Sequence, residues 1–376
     1  MKKDKFNVCR WKTRVLANGV AVICFCMLFA LQAVAQQPAV TFTEFSAPGA
    51  GTGGEQGTLA LTINTAGESA GYYYDSTDAA HGFVRATSGT ITTFDAPGAG
   101  TGKNQGTFGG QLNTAGTIAG NYTDDSGVHH GFVRTSSGAI TTFSVSAAGT
   151  ASGQGTQCCG LNTAGTAAGY YIDSSSVRHG YLRSASGAIK TYNVPGAGTG
   201  AGQGTEGLAI NTAGTVAGIY IDSAGAYHGY VRTSAGVITT FNVSGAGSGS
   251  GQGTAPTGIN TAGTITGSYF DSTGLAHGFV RTAAGVITTF NVSGATITAA
   301  VAINTAGTIA GYYINSSGNS GGYLRAASGA ISKFDAPGSG TGVGNGTVSF
   351  GINTAGTVVG YYLTSTFVYE GFLRIQ

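Results

Sequence analysis

An acid and a histidine recur six residues apart at five places along the chain, a spacing that can put both side chains in one loop. The pairs are Asp75 with His81, Asp124 with His130, Asp173 with His179, Asp222 with His228 and Asp271 with His277. Carboxylates and imidazoles can ligate metals and can hydrogen-bond sugar hydroxyls, so the pairs are candidate binding residues. A structural interpretation competes: the acid caps a turn, and the histidine donates to a backbone carbonyl or to that acid. Two ligands per loop are too few for a tight metal site, which favours the structural interpretation.

The pairing is lost at two equivalent places near the end of the chain, where Asn315 with Gly321 and Thr364 with Glu370 stand instead. A function that needs every copy of the pair is therefore excluded. Glu370 is retained as a candidate binding residue because it replaces a histidine. The pattern predicts no required cofactor, although the Asp-Ser loops leave calcium stabilisation open.

These loops belong to a long internal repeat marked by the string Asn-Thr-Ala-Gly. The string occurs seven times at intervals of 49 residues, except for one interval of 44, and it begins at Asn64, Asn113, Asn162, Asn211, Asn260, Asn304 and Asn353. Repeats of this length indicate an architecture of stacked or radially arranged units, so the repeat decides the fold class.

Each repeat contains four short extended segments. They are four to seven residues long, rich in β-branched and aromatic residues, and bounded by Gly, Ser, Asn or Asp. No segment shows an apolar period of 3.6 residues over helical length. Seven such units predict an all-β, seven-bladed β-propeller of four-stranded antiparallel blades. A β-solenoid is the alternative, but its coils usually need fewer residues and turns.

The number of fourth strands supports the propeller. The Ile-Thr-Thr-Phe type of segment is missing after the last Asn-Thr-Ala-Gly, while Thr41–Phe45 stands alone before the first. We therefore predict that Thr41–Phe45 pairs with residues 371–375 and completes the last blade. Such a latch closes the ring and leaves no open sheet edge.

Successive loops of antiparallel blades alternate between two faces. The tight Asn-Thr-Ala-Gly and Ser-Gly turns should share one face, and the Asp/His loops and the long Gly-rich loops the other. Because longer loops carry binding groups on rigid scaffolds, the second face is the candidate binding face. A tyrosine and an arginine recur in all seven units, as in Tyr122 and Arg134, and this symmetry favours packing roles.

A few charged or amide side chains break the repeat. Glu55, Lys103, Asn104 and Glu206 lie in or just after the Gly-rich loops. They could line one asymmetric pocket together with Glu370, or they could be solvated surface residues, which is the favoured interpretation.

The first 35 residues lie outside the repeat and predict a secretory signal peptide. A basic start is followed by an apolar run over residues 20–31 and then by Ala33-Val34-Ala35, which suits cleavage near Ala35. The run is short for a membrane span, and no later stretch is long enough, so the mature chain is expected to be secreted, periplasmic or on the cell surface.

Charge and cysteine content narrow the partners. Of 17 basic and 15 acidic residues, six bases and one acid precede residue 36, which leaves the remainder acidic by about three charges. A basic footprint for nucleic acid is absent. Only Cys158 and Cys159 follow the signal, and adjacent cysteines predict core thiols, not a disulfide framework.

The recurring motifs resemble the HAF-type extracellular repeats of bacteria. The best matching stretches are residues 63–67, 81–85, 94–99 and 334–338, and the resemblance covers the chain from about residue 41 to its end. It implies an exported, β-propeller-like repeat protein. It implies no established activity, so no catalytic residue is carried over.

Residues 36–376 are thus expected to form one domain that is a non-catalytic binding or structural module. Its expected partner is an extracellular glycan or protein, and the chain is expected to be a monomer. The alternative is a propeller-fold lyase or glycoside hydrolase with acids and histidines on the loop face, which would need two carboxylates at a defined separation.

Overall fold

The computed structural model describes residues 39–376, and this part of the chain consists of strands, turns and loops without a helix. The predicted signal peptide lies outside the described residues. No helix in the described part is long and apolar enough to cross a membrane.

Twenty-eight strands follow the predicted four-strand repeat. Before the first Asn-Thr-Ala-Gly turn comes β1, Thr41–Phe45. Units 1 to 3 comprise β2 Gly57–Ile63, β3 Ser69–Tyr74, β4 Ala80–Arg85, β5 Ile91–Phe94, β6 Gly106–Leu112, β7 Ile118–Thr123, β8 His129–Arg134, β9 Ile140–Phe143, β10 Gly155–Leu161, β11 Ala167–Ile172, β12 Arg178–Arg183 and β13 Ile189–Tyr192. Units 4 and 5 comprise β14 Gly204–Ile210, β15 Val216–Ile221, β16 Tyr227–Arg232, β17 Ile238–Phe241, β18 Gly253–Ile259, β19 Ile265–Phe270, β20 Ala276–Arg281 and β21 Ile287–Phe290. Units 6 and 7 comprise β22 Ala295–Ile303, β23 Ile309–Asn315, β24 Ser320–Arg325, β25 Ile331–Phe334, β26 Gly346–Ile352, β27 Val358–Leu363 and β28 Tyr369–Ile375.

Consecutive strands of a unit pair antiparallel, and β1 takes the fourth place in unit 7. Its register against β28 runs from Thr41 opposite Ile375 to Phe45 opposite Gly371, the pairing that the sequence predicts. A parallel bridge between a third strand and the next first strand joins every two neighbouring units except units 5 and 6. Gly106, at φ +108°, makes this approach possible, since a Cβ there would lie 2.1 Å from the Ala80 carbonyl oxygen.

The core consists of aromatic side chains stacked from unit to unit. The third strand of each unit contributes one fully buried ring, such as Phe132, which meets the aromatic residue of the preceding fourth strand, Phe94, edge to face at 5.9 Å. Phe45 of β1 contacts Phe83 in the same way at 6.0 Å. The N-terminal strand therefore makes the same contact between unit 7 and unit 1 that the other fourth strands make elsewhere.

The recurring arginine covers this aromatic contact. Arg134 Cζ lies 4.9 Å from the ring centroid of Phe94, and Arg134 Nη1 donates to the Thr135 carbonyl at 3.3 Å. All seven arginines lie over the fourth-strand ring of the preceding unit: Arg85, Arg134, Arg183, Arg232, Arg281, Arg325 and Arg374. The aromatic ring is thus the partner that all seven arginines share, in agreement with a packing role.

The Asn-Thr-Ala-Gly turns link neighbouring units through their side-chain amides. Asn113 Nδ2 donates to the Asn162 carbonyl at 3.1 Å, while its Oδ1 accepts from the backbone N–H groups of Ala115 and Thr117 at 3.0 Å each. The seven asparagines repeat the amide link in order, and Asn353 donates back to Asn64 at 3.2 Å. The bonds thus form an unbroken cycle.

Two adjoining cavities lie along the first strands. One has a volume of about 220 Å³ and is lined by the Asn and Thr of every Asn-Thr-Ala-Gly turn and by the apolar residue before each. The other has a volume of about 490 Å³ and includes Cys159 in its lining. Cys158 is buried and neither thiol is in a disulfide, as expected for core thiols.

Candidate functional site

The loops that could bind a ligand share one face. The loop between second and third strands contacts the loop that leads into the next unit, as where Asn104 N donates to the Asp78 carbonyl at 2.9 Å. Tight turns meet on the opposite side, where a Cβ on Gly116 would lie 3.0 Å from Ser136 Cβ. We call the first surface the loop face.

Each predicted pair of aspartate and histidine is brought together on this face. In unit 2, His130 Nε2 lies 3.1 Å from Asp124 Oδ2, and Asp124 Oδ1 accepts from the backbone N–H groups of Ser126 and Val128 at 2.9 Å each. Both carboxylate oxygens are therefore engaged within the loop. The same Nε2 to Oδ2 distance is 3.4 Å between His81 and Asp75, 3.1 Å between His179 and Asp173, 3.0 Å between His228 and Asp222, and 3.0 Å between His277 and Asp271.

The histidine ring is fixed by two further contacts. His130 Nδ1 lies 2.8 Å from Ser144 Oγ, and the ring stacks on Tyr122 with centroids 4.8 Å apart. In the other four units the ring also stacks on the corresponding tyrosine. There Nδ1 meets a polar side chain of the fourth-strand end: His81 meets Asp95, His179 meets Asn193, His228 meets Asn242 and His277 meets Asn291.

This geometry matches the structural interpretation of the pairs, in which they hold the loop to the blade. Both ring nitrogens of His179 already have partners within unit 3, and both ring nitrogens of His228 have partners within unit 4. A ligand at either histidine would have to replace one of these bonds. The sequence offered the five histidines as candidate binding residues, and their contacts instead account for them as parts of the scaffold.

The loop hydrogen bonds also control the ionisation of the aspartates. Partial burial acts to raise the pKa of Asp124, but the N–H groups of Val128 and Ser126 and the His130 ring outweigh it and lower the pKa below 3.8. The pKa values of the other four are lowered by the same kinds of contact, and the Thr77 hydroxyl and the Thr273 hydroxyl add to them at Asp75 and Asp271 respectively.

The last two units replace the pair with different side chains. In unit 6, Asn315 Oδ1 accepts from the backbone N–H groups of Ser317 and Asn319, and Lys333 Nζ lies 4.9 Å from the Tyr313 ring centroid. In unit 7, Glu370 accepts from Ser46 Oγ. Burial and then the carboxylates of Glu44 and Glu370 raise the pKa of Tyr362, so both acids lie near that ring.

Metal ligation is one function that the pairs of aspartate and histidine could serve. Within residues 39–376, no three His, Cys, Asp or Glu side chains converge in a way that could hold an ion. In each of the five pairs the carboxylate and the imidazole already bond each other.

One small pocket breaks the symmetry of the loop face. It has a volume of about 140 Å³, lies where unit 7, unit 1 and unit 2 meet, and is lined by Gly54, Glu55, Tyr74, Asp78, Lys103, Asn104 and Tyr369. We call it the junction pocket. It joins two tyrosines to three charged groups and an amide. Glu55, Lys103 and Asn104 are exposed, as the favoured interpretation of solvated surface residues expects, and they also line one pocket, which was the alternative.

The backbone around the junction pocket is unusual. Glu55, Asp78 and Asn104 have φ values of 65°, 64° and 60°, in the left-handed region that favours glycine. Most corresponding loop positions in the other units are glycine, as at Gly127 and Gly153. Non-glycine residues in the left-handed conformation cluster at functional sites in proteins. The presence of three such residues around one pocket makes it a candidate binding site.

An ion pair crosses the pocket. Lys103 Nζ lies 2.9 Å from Asp78 Oδ2, and Gln56 Nε2 donates to Asp78 Oδ1 at 2.8 Å. The Gln56 amide and then Lys103 lower the pKa of Asp78, while Asp78 raises the pKa of Lys103. With Asp78 neutralised by Lys103, the exposed Glu55 leaves the pocket with one net negative charge at neutral pH.

At the positions of Lys103 and Asn104, the loops that enter units 3, 4 and 5 carry small side chains. Ser152 and Gly153, Ala201 and Gly202, and Ser250 and Gly251 correspond to Lys103 and Asn104 in the loops entering units 3, 4 and 5. The loop entering unit 6 is shorter, because β22 begins at Ala295, three residues after Val292. At these two positions, charged or amide side chains are therefore found only in the loops entering units 1 and 2.

The other two symmetry-breaking acids lie elsewhere. Glu206 is buried on β14, where its Oε1 accepts from Arg178 Nη1 at 2.6 Å and burial raises its pKa despite the arginine. Glu370 lies beside Tyr362, outside the pocket lining. Sequence reasoning also missed Tyr74, Asp78 and Tyr369, although Asp78 stands where the repeat most often has glycine, which was a readable signal.

Comparison with solved structures shows a β-propeller fold. The lectin BP39L from Burkholderia pseudomallei is similar with a TM-score of 0.53 and 10% identity, over 85% of this chain and 99% of the lectin. The Aleuria aurantia lectin has a TM-score of 0.44 and 13% identity, over 74% and 94%. The Pyrococcus horikoshii acylaminoacyl peptidase has a TM-score of 0.48 and 8% identity, over 81% and 51%. No protein-family model matches the chain, and no curated protein sequence matches it.

Proposed function

We propose that residues 36–376 form a secreted, seven-bladed β-propeller that binds a carbohydrate in the junction pocket without catalysing a reaction on it. The observation that carries this proposal is the pocket composition. Tyr74 and Tyr369 offer apolar surface with polar tips, and Glu55, Asp78, Lys103 and Asn104 offer donors and acceptors for hydroxyl groups.

The size and placement of the pocket suit a single sugar ring. A volume of about 140 Å³ is small for a drug-sized ligand, and the pocket opens on the face that carries the longer loops. The scaffold around it is held by repeated contacts, so the pocket residues are presented on rigid neighbours.

A closed ring of seven blades is part of the proposal. Three observations support it: β1 pairs with β28, Gly57 of β2 bridges Tyr369 of β28, and Asn353 bonds Asn64. The first completes unit 7 with the strand pairing found within the other units, and the other two repeat between units 7 and 1 interactions found between other neighbouring units. Similarity to the BP39L lectin adds the precedent that a propeller of this kind can be a lectin.

A glycan array probed with the labelled mature chain tests the binding claim. We expect selective binding to a subset of glycans, and Tyr369→Ala should weaken it at least about tenfold, because the aromatic wall of the pocket is removed. The matched control is Tyr227→Ala, since Tyr227 is also the first residue of a third strand but lies in unit 4. Equal losses in both variants, or no glycan binding at all, would remove the proposal.

The non-catalytic claim is tested on the same glycans. We expect incubation with the mature chain to leave each bound glycan intact by mass spectrometry. Glu44 and Glu370 both lie near Tyr362, but Glu44 accepts from the Gly338 N–H and Glu370 from Ser46 Oγ. Cleaved products that disappear in Glu370→Gln would show that the chain is a hydrolase or lyase instead.

Export is tested by expression of the full chain in a bacterial host. The mature protein should leave the cytoplasm and begin near Gln36 by N-terminal sequencing, because Ala33-Val34-Ala35 provides small residues at the cleavage site. An intact N-terminus on cytoplasmic protein would contradict this.

A further inference from the structure

Two exposed apolar side chains stand beside the junction pocket. Phe367 is 42% exposed and Val343 is 74% exposed. Phe367 occupies in unit 7 the position of Asp78 in unit 1, and Val343 occupies the position of Lys103. The sector that carries unusual loop side chains is therefore wider than the pocket, and its second half is apolar.

The two halves are physically continuous. Glu55, which lines the pocket, donates its backbone N–H to the Phe367 carbonyl at 2.7 Å. The Phe367 ring lies against Gly344, since a Cβ on that glycine would be 3.4 Å from Phe367 Cε1, and Val343 is the preceding residue. We call the surface of Phe367 and Val343 the apolar shelf, and only the Glu55 loop separates it from the pocket.

Phe367 is locally unfavourable for the scaffold. Its φ of 61° costs a residue with a Cβ roughly 1–2 kcal/mol relative to glycine in the left-handed region. The same position is glycine in units 2, 4, 5 and 6, at Gly127, Gly225, Gly274 and Gly318. The residue is also 42% exposed, so part of its apolar surface stays in contact with water. A strained, exposed aromatic residue next to a pocket points to a ligand contact.

We infer that the apolar shelf is a second subsite of the junction pocket, which takes the apolar face of the next sugar ring of an oligosaccharide. This inference rests on the proposed carbohydrate binding and adds that the recognised ligand is a chain of at least two rings. The pocket would supply hydrogen bonds to one ring, and Phe367 would cover the C–H face of its neighbour.

Paired probes of one sugar in two lengths test the shelf. Glucose, galactose, mannose, glucosamine and N-acetylglucosamine are each titrated as the monosaccharide and as the trisaccharide. We expect the trisaccharide of the recognised sugar to bind about tenfold tighter than its monosaccharide, and Phe367→Gly to bring that ratio close to one. The melting temperature of Phe367→Gly should be unchanged or higher, since glycine relieves the left-handed strain.

Ser176→Gly is the matched control, because Ser176 has φ 61° at the equivalent position of unit 3, away from the pocket. It should leave both affinities unchanged. A trisaccharide advantage that survives Phe367→Gly, or equal affinity for both lengths in the parent protein, would overturn the shelf while glycan binding stands. If none of the ten probes binds, the inference of a second subsite is overturned. If no glycan on the wider array binds either, the proposed binding function itself is overturned.

Discussion

At the residue scale, each loop aspartate serves the backbone and a histidine at once. Asp124 Oδ1 receives two N–H groups of its own turn, and Oδ2 receives the ring of His130. In unit 6 the turn forms without a charged side chain, because Asn315 makes the same bonds to the backbone of the turn and carries no charge. The charge is therefore dispensable for the turn, and it is the part of the arrangement that should make stability depend on pH.

We predict that the double substitution of Asp124→Asn and Asp173→Asn reduces the acid sensitivity of folding. The folded-state pKa of each carboxyl is lowered, so its stabilisation is present above the ordinary value of 3.8 and is lost as pH falls through the folded-state value. Melting temperatures at pH 7 and pH 3 should differ less in the double variant than in the parent. Asp125→Asn, which neutralises an exposed neighbouring carboxyl outside the pairs, serves as the control. An unchanged difference between the two pH values would contradict the assignment.

Calcium should not stabilise these loops. A calcium ion needs about six to eight oxygen ligands, and the carboxylate oxygens of Asp124 and Asp173 are already engaged by N–H groups and by His130 and His179. We expect the melting temperature of the mature chain to be the same in EDTA and in millimolar calcium. A rise in calcium that is lost in Asp173→Asn would show that a site forms after all.

At the element scale, the tight turns connect units as well as strands. The Asn113 amide holds its own turn through Oδ1 and the next turn through Nδ2, and the side chain is 6% exposed. A repeat string that a sequence reader takes for a local turn thus carries an interaction between units. The direction of the side chain, toward the following unit, could not be read from the sequence.

Asn113→Ala should destabilise the protein by about 3 kcal/mol. The substitution removes the donor to the Asn162 carbonyl and the acceptor of two N–H groups, and buried groups left unpaired cost about 1–3 kcal/mol each. Urea unfolding measures the change. Thr114→Ala, in the adjacent exposed position, should stay within about 0.5 kcal/mol of the parent. Equal effects of the two substitutions would show that the amide link is unimportant.

The N-terminal strand makes the corresponding connection between the ends of the chain. Phe42 packs near Phe334 and Phe372, with ring centroids 6.1 and 6.2 Å away, and Phe45 lies under Arg85 at 5.0 Å. Without β1, these buried neighbours and the edge of β28 would face solvent.

We therefore expect deletion of residues 36–46 to abolish cooperative unfolding, and Phe42→Ala alone to cost about 3 kcal/mol. Thr41→Ala, at an exposed position of the same strand, is the matched control. Calorimetry and near-ultraviolet circular dichroism report cooperativity and packing. A deletion variant with the melting curve of the parent would show that β1 contributes nothing to closure.

At the scale of the whole molecule, symmetry explains what the sequence could predict. Strand number, turn positions and the pairing of Thr41–Phe45 follow from local signals that recur seven times, and these were predicted. The junction pocket joins Glu55, Lys103 and Tyr369, which belong to three different units and lie far apart in the chain. No local sequence signal relates these three residues, because they come together only where loops of successive units meet.

The same symmetry separates scaffold from ligand contact. Interactions repeated in every unit, such as the arginine over an aromatic ring, hold the blades together. Glu55 and Phe367 each occur once, at left-handed positions where most other units have glycine. They lie together in one sector of the loop face. For the proposed function, one asymmetric pocket on the loop face argues for a single ligand per chain and against seven equivalent ones.

The proposed closed ring also predicts which circular permutants will fold. Arg85 and Ile91 are joined by a five-residue turn, and their equivalents in unit 7 are Arg374 and Phe42. Joining Gln376 to Thr41 through Ser-Gly recreates a turn of that length between β28 and β1. New termini between Ser137 and Gly138 then move the latch to unit 2, and this permutant should melt within about 5 °C of the parent.

A second permutant, with the same junction but opened at Ala151 in a loop between units, keeps every blade continuous and has no strand to hold the ring shut. It should melt lower than the first, because closure then depends on contacts between whole blades alone. If the two permutants melt together, the exchanged strand is not what secures the ring.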